Sequence, residues 1–187
     1  MPRIGVGYAK TTARFLLIRV GRRRKLRAQF LLGPRVARLI GWREWVSLPE
    51  LGVDRVKVKV DTGARTSVLH AFNLQAFLED DQEWVTFSVH PLQENTTVEV
   101  ACRARVKEHR TVRDSGGHEE TRVVIDTMVS LGGETWLVEL TLTDREAMAF
   151  RMLLGRNAIF NRYYVDPTQS FILSSPESTD HDFQEEE

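Results

Sequence analysis

Arg55-Val56-Lys57-Val58-Lys59-Val60-Asp61-Thr62-Gly63-Ala64 decides the fold. From Arg55 to Asp61 the chain alternates basic residues with valine, the period-two pattern of a strand with one face buried. The strand delivers a carboxylate, and Thr62 and Gly63 follow at once. Gly63 lets the backbone turn sharply with no Cβ in the way. Thr62 is small, and its hydroxyl can lock the loop beneath the carboxylate. An aspartate held in this way activates water when a second carboxylate lies beside it, because the two share one proton and act as base and acid. By itself Asp-Thr-Gly is also three common residues, and such a turn after a strand is ordinary.

Working outward, the flanking sequence reads mostly as short strands. Thr66 to Leu69 is a second short strand, and Leu74 to Glu79 is at most a helical turn. Trp84 to His90 alternates again until Pro91 stops it. Thr97 to Val106 is rich in Thr and Val. Glu120 to Leu131, a Gly132-Gly133 turn and Thr135 to Leu142 form a hairpin signal. Phe150 to Leu154 is a short apolar strand ending at Gly155, and Asn157 to Asn161 is one helical turn. Short strands punctuated by Gly, Pro and Asp or Asn imply an all-β barrel or sandwich.

Composition bounds the function classes. The chain has 187 residues, 42% of them hydrophobic, enough for one domain with a real core. A single cysteine, Cys102, excludes an internal disulfide and a cysteine-based zinc cluster, and reads as buried and inert. No apolar run approaches the ~20 residues of a membrane span. These features suit a soluble, cytoplasmic protein. The 26 basic and 26 acidic residues cancel, but unevenly. Residues 1–40 hold eleven basic residues and no acid, whereas the last fourteen hold six acids and no Lys or Arg. The expected division is a poorly ordered basic extension over 1–38, one domain over 39–173, and an acidic disordered tail over 174–187. Two readings of Arg22-Arg23-Arg24-Lys25 stand: a phosphate-docking arm, or an unordered extension.

A second motif, Met152-Leu153-Leu154-Gly155-Arg156-Asn157, lies downstream of the first. The pair Val60-Asp61-Thr62-Gly63-Ala64 and Leu153-Leu154-Gly155-Arg156-Asn157 resembles the retropepsins, the aspartic proteases of retroviruses. The wider stretches Ile40 to Val46, Val60 to Ser67, Leu140 to Arg145 and Phe150 to Arg156 resemble a bacterial retropepsin-like group labelled "ATP-dependent zinc protease", with RimB-type members. The resemblance covers roughly residues 39–166. It implies an acid-protease fold, a closed β-barrel with a short helix after Gly155. It implies Asp61 as catalytic, with Thr62 and Gly63 completing its loop and Leu153, Leu154, Gly155 and Arg156 supporting that loop. It further implies an aspartic peptidase that trims glutamate residues from a modified ribosomal protein, with a homodimer supplying the second Asp61.

The sequence departs from the viral pattern in places. Viral retropepsins carry an aspartate four residues after the catalytic one, paired with the arginine of Gly-Arg-Asn; here that position is Arg65. Arg65 and Arg156 would repel. A second Asp-Ser-Gly, Asp114-Ser115-Gly116, is too close to the first for a two-lobed enzyme. It reads as a hairpin tip, either a flap that closes on substrate through Ser115 and Gly116 or a plain surface turn. The five histidines show no zinc-protease spacing, and no Gly-x-x-x-x-Gly-Lys loop cradles phosphates, so no metal or cofactor is expected. His70 reads as a satisfied strand-end residue. Arg65 and Arg122 are candidate contacts for an acidic peptide or glutamate-extended protein, against the reading of surface charges neutralising an acidic domain. The basic arm makes the ribosome a candidate partner. The alternative to a peptidase is a non-catalytic binding module for acidic peptides or ribosomal RNA.

Overall fold

The computed structural model describes residues 37–113, 117, 119–145 and 149–174, all within the unit Pro34–Glu187. Twelve strands and one short helix are formed among them: β1 Arg38–Gly41, β2 Arg43–Leu48, β3 Val53–Asp61, β4 Ser67–His70, β5 Phe72–Glu79, β6 Gln82–Val89, β7 Val100–Arg105, β8 Glu108–Arg113, β9 Glu119–Leu131, β10 Glu134–Thr143, β11 Met152–Gly155, α1 Arg156–Ile159 and β12 Tyr163–Asp166. None of the described helices is long and apolar enough to cross a membrane.

Six strands run in the order β10-β4-β11-β3-β2-β9, and β9 pairs back onto β10, so the sheet closes on itself. Closure removes exposed edges. Val56, Val58 and Val60 point from β3 into the ring, where they meet Leu69, Ile125, Leu140, Leu142, Met152 and Leu154, all buried. The outward partners on β3, Arg55, Lys57 and Lys59, stay half-buried or exposed, as the alternation requires. The β9–β10 hairpin turns at Gly132 and Gly133, with φ of +58° and +82°. A two-residue turn of this hand needs positive φ at both positions. β5, β6 and β7 form a separate three-stranded sheet, and β1 pairs in parallel with β12. The barrel with a helix directly after Gly155 is the acid-protease architecture that the sequence implies.

Leu74 to Glu79 is a correction. It lies in β5, paired with β6 from Gln75↔Thr86 to Glu79↔Gln82. Asp80 and Asp81 turn the hairpin with φ of +50° and +58°, a conformation aspartate tolerates better than most residues. Most of β5 beyond Leu74 is exposed, so no buried alternation betrays the strand. Contacts at the two ends of the described unit tie its termini to the barrel. Arg38 pairs with Tyr163 and donates to the Gly132 carbonyl at 2.8 Å. Ser174 is tied to Glu44.

Glu44 faces inward from β2 opposite Val58 and is fully buried. Its carboxylate accepts the backbone N–H groups of Gly41 at 2.8 Å, Ile172 at 2.9 Å, Leu173 at 3.4 Å and Ser174 at 3.1 Å, and the Ser174 hydroxyl. Burial of this polar group is tolerated because these donors replace water. The result pins the segment after β12 across the start of the barrel. Glu44→Ala leaves these buried donors unmatched. It is expected to cost on the order of 3 kcal/mol, read as a lower urea midpoint with an unchanged denaturant slope.

Candidate functional site

Asp61 is the last residue of β3 and lies beside Gly155 in the parallel β3–β11 pairing. The chain must then reverse through Thr62–Thr66 into β4. The Asp61 carboxylate organises that reversal. Its Oδ1 accepts the N–H of Gly63 at 3.0 Å and of Ala64 at 3.1 Å. A Cβ at Gly63 would stand 3.3 Å from the same oxygen, so a residue without a side chain fits best. Asp61 is half-buried, and Thr62, Gly63 and Arg65 are exposed. Thr62 is tied through its carbonyl, which accepts from Arg156 Nη1.

The loop is held from behind by β11 and α1. Gly155 donates its N–H to Ser67 Oγ at 3.0 Å. A Cβ at Gly155 would fall 2.6 Å, 2.7 Å and 2.9 Å from backbone atoms of Thr66 and Ser67, which cannot step aside. The first N–H groups of a helix have no partner within it. In α1 the Arg156 N–H donates to the Ala64 carbonyl at 2.8 Å and the Asn157 N–H to the Arg65 carbonyl at 3.0 Å. Arg156 also reaches the Thr62 carbonyl with Nη1 at 3.1 Å. Arg156 therefore meets a loop carbonyl where the viral pattern would offer a carboxylate, and Arg65 is left facing solvent. Leu154 is buried and Leu153 half-buried beside β3. Trp136 fixes α1, donating Nε1–H to the Ala158 carbonyl at 3.0 Å.

A second support reaches the loop from the side. Arg110 on β8 contacts Thr66 Oγ1 at 3.4 Å and pairs with Glu139 at 2.7 Å and with Glu108. Lys107 binds Glu139 and Asp126, each at 2.9 Å. The Arg110 hydrogen bond, against the opposing effect of burial and with help from Lys107, holds the Glu139 carboxyl at about 2. Sequence reading finds none of Ser67, Arg110 or Glu139, because their partners lie far away in the chain.

The other candidate residues fall as follows. Arg122 sits on β9 opposite Arg110, is buried, and pairs through Nε with Glu120 at 2.8 Å. Ser115 and Gly116, with Asp114, lie outside the described residues. His70 is buried at the end of β4 and accepts the Arg145 N–H at Nδ1, 3.1 Å away. Burial, then Arg151, lowers its pKa. Cys102 is buried against the Leu51 carbonyl, and burial pushes its thiol up to about 11.

A closed barrel with an Asp-Thr-Gly loop backed by a Leu-Leu-Gly strand defines a retropepsin-like protein. Residues 39–176 match the RimB-like family, described as a retropepsin-like aspartic endopeptidase, and the chain belongs to that family. Three curated relatives are each named probable alpha-L-glutamate ligase. The protein of Shewanella pealeana is 45% identical over 135 residues, 72% of this chain and 30% of the relative. That of Desulfotalea psychrophila is 48% identical over 130 residues, 70% and 28%. That of Parasynechococcus marenigrum is 49% identical over 135 residues, 72% and 29%. The chain thus spans under a third of the curated relatives it matches. A solved protein of unknown function from Legionella pneumophila, Lpg0085, shares the fold, with a TM-score of 0.62 and 24% identity over 73% of this chain and 98% of that one.

These names correct the expected activity. Relatives sharing nearly half of the aligned residues are named as ligases, not as hydrolases, so the expected peptidase that removes glutamate does not stand. The physical reason is that a barrel and a carboxylate-bearing loop fix where a group sits, not which reaction it serves.

Two outcomes follow from the geometry. Gly155→Ala drives a methyl into Thr66 and Ser67 and is expected to cost roughly 1–3 kcal/mol, seen as a lower melting temperature. Glu139 is held below its ordinary 4.5, so its contribution is complete above about 4.5 and is lost as pH falls toward about 2. Melting temperatures of wild type and Glu139→Gln are therefore expected to differ most at neutral pH and to converge on acidification through that window.

Proposed function

We propose that the chain acts in α-L-glutamate ligation, as the part of the machinery that engages the glutamate-bearing polypeptide. The observation that carries this reading is the 45–49% identity to segments of proteins named probable alpha-L-glutamate ligase. Those proteins are more than three times the aligned length, so most of each lies outside the segment that this chain matches. The reading therefore gives it the polypeptide acceptor rather than nucleotide chemistry.

The exposed loop fits that task in chemical terms. Arg65 lies on it in solvent, and a guanidinium grips a carboxylate with two parallel donors. Asp61, fixed through one oxygen by two amides, keeps its other oxygen for an N–H or amino group of the bound chain. Gly155 and α1 keep the loop from adapting, which lowers the entropy lost on binding.

The test uses the purified full chain and a fluorescent peptide ending in six α-linked glutamates, with a glutamine-ended peptide as control. Anisotropy is expected to show at least about tenfold preference for the glutamate peptide, a difference of about 1.4 kcal/mol. Arg65→Ala and Asp61→Asn should each weaken it. Mass spectrometry after incubation with ATP and glutamate gives the second reading. An unchanged or lengthened peptide agrees with the proposal. A shortened peptide, or equal affinity for both peptides, contradicts it.

A further inference from the structure

The outer face of the barrel along β3 carries a row of cations that ends at Asp61. Strand alternation puts Arg55, Lys57, Lys59 and Asp61 on one face, opposite the buried Val56, Val58 and Val60. Across β2, Arg43 stands opposite Lys59 and Trp45 opposite Lys57. Phe171 lies nearly parallel to Trp45, with ring centroids 6.1 Å apart and planes 18° apart. The cations are stacked on these rings. The Arg55 guanidinium sits 4.1 Å over Trp45, Lys57 Nζ 5.3 Å over Trp45 and 5.9 Å over Phe171, and Arg43 5.1 Å over Phe171. The acid on this stretch of β3 is Asp54, at the end remote from Asp61, where it lines a cavity with Trp45 and Arg55.

We infer that the Arg55-Lys57-Lys59 row, with Arg43 beside it, is a docking track for an extended acidic polypeptide whose end lies at the Asp61 loop. The inference rests on the glutamate-bearing partner proposed above and adds the surface that the partner follows. Two features carry it. The first is register. In a strand, residues two apart on one face are about 7 Å apart, for the protein and for an extended ligand alike. Every second glutamate of an extended chain therefore meets successive cations, and the row from Arg55 to Asp61 spans about 20 Å, or six ligand residues. The second is preorganisation. Aromatic rings hold Arg55, Lys57 and Arg43 in place, so less side-chain entropy is lost when carboxylates arrive. The same stacking argues against single-stranded RNA. Bases need open aromatic faces, and here the rings are covered by cations and by each other.

The track predicts that affinity grows with glutamate number. Peptides of two, four and six α-linked glutamates are titrated into the full chain by anisotropy, alongside an oligouridylate. The variants are Lys57→Gln/Lys59→Gln and, as a control that removes a cation from β7 instead, Arg103→Gln. Circular dichroism and melting temperature check that each is folded. Each exposed ion pair is worth only a fraction of a decade in affinity, so wild type should gain roughly tenfold from two to six glutamates. The double variant should lose most of that gain and keep its affinity for the shortest peptide, while Arg103→Gln behaves as wild type. If the peptides bind but the double variant gains affinity with length as wild type does, the track is wrong and the glutamate reading stands. If no peptide binds wild type, both fail. Tighter binding of oligouridylate, lost in the double variant, assigns the surface to nucleic acid and overturns the inference.

Discussion

Everything at the site depends on one close approach. The backbone of β11 at Gly155 passes so near Thr66 and Ser67 that no side chain fits between them. That proximity lets the Gly155 N–H reach Ser67 Oγ and brings the start of α1 beneath the loop. The loop carbonyls then satisfy helix-end donors that would otherwise be orphaned. Asp61 closes the arrangement from the front by accepting two amides of its own loop. Loop, strand and helix thus share one set of hydrogen bonds, and a change at any of them is felt by the others.

Two carboxylates stabilise the barrel around that point in contrasting ways. Glu44 is fully buried and held by backbone and hydroxyl donors from both ends of the domain. Glu139 stands at the barrel surface between Arg110 and Lys107, and through Arg110 it touches Thr66. The first is a packing device that needs no counter-charge. The second is an ion-pair network, so it depends on pH and salt.

The sequence made the centre of the fold legible and left its supports obscure. β3 announces itself because three valines alternate with three cations, and Asp-Thr-Gly because its turn chemistry is local. The β9–β10 hairpin is equally plain from its paired glycines. Glu44 gives no such signal: apart from Gly41, its partners lie about 130 positions away, and a Glu between Arg43 and Trp45 looks like any exposed residue. β5 escaped for the opposite reason, since it is paired on β6 but largely exposed. Arg122 illustrates the limit for charges, because an arginine aimed at Glu120 inside a sheet reads the same as one aimed at solvent. The activity was the least legible level, since an Asp-Thr-Gly loop argued by analogy points to hydrolysis while the aligned relatives are named as ligases.

In the proposed mode of binding, the Asp61 loop and the β3 cation row are one continuous surface for a glutamate-bearing chain. Backbone amide chemical-shift mapping of the full protein, titrated with a peptide of six α-linked glutamates, tests this most directly. The largest shifts are expected on Lys57, Lys59, Gly63, Ala64 and Gly155, with the three-stranded sheet β5-β6-β7 unmoved. Saturable shifts confined to that sheet, or none at the Asp61 loop, would contradict it.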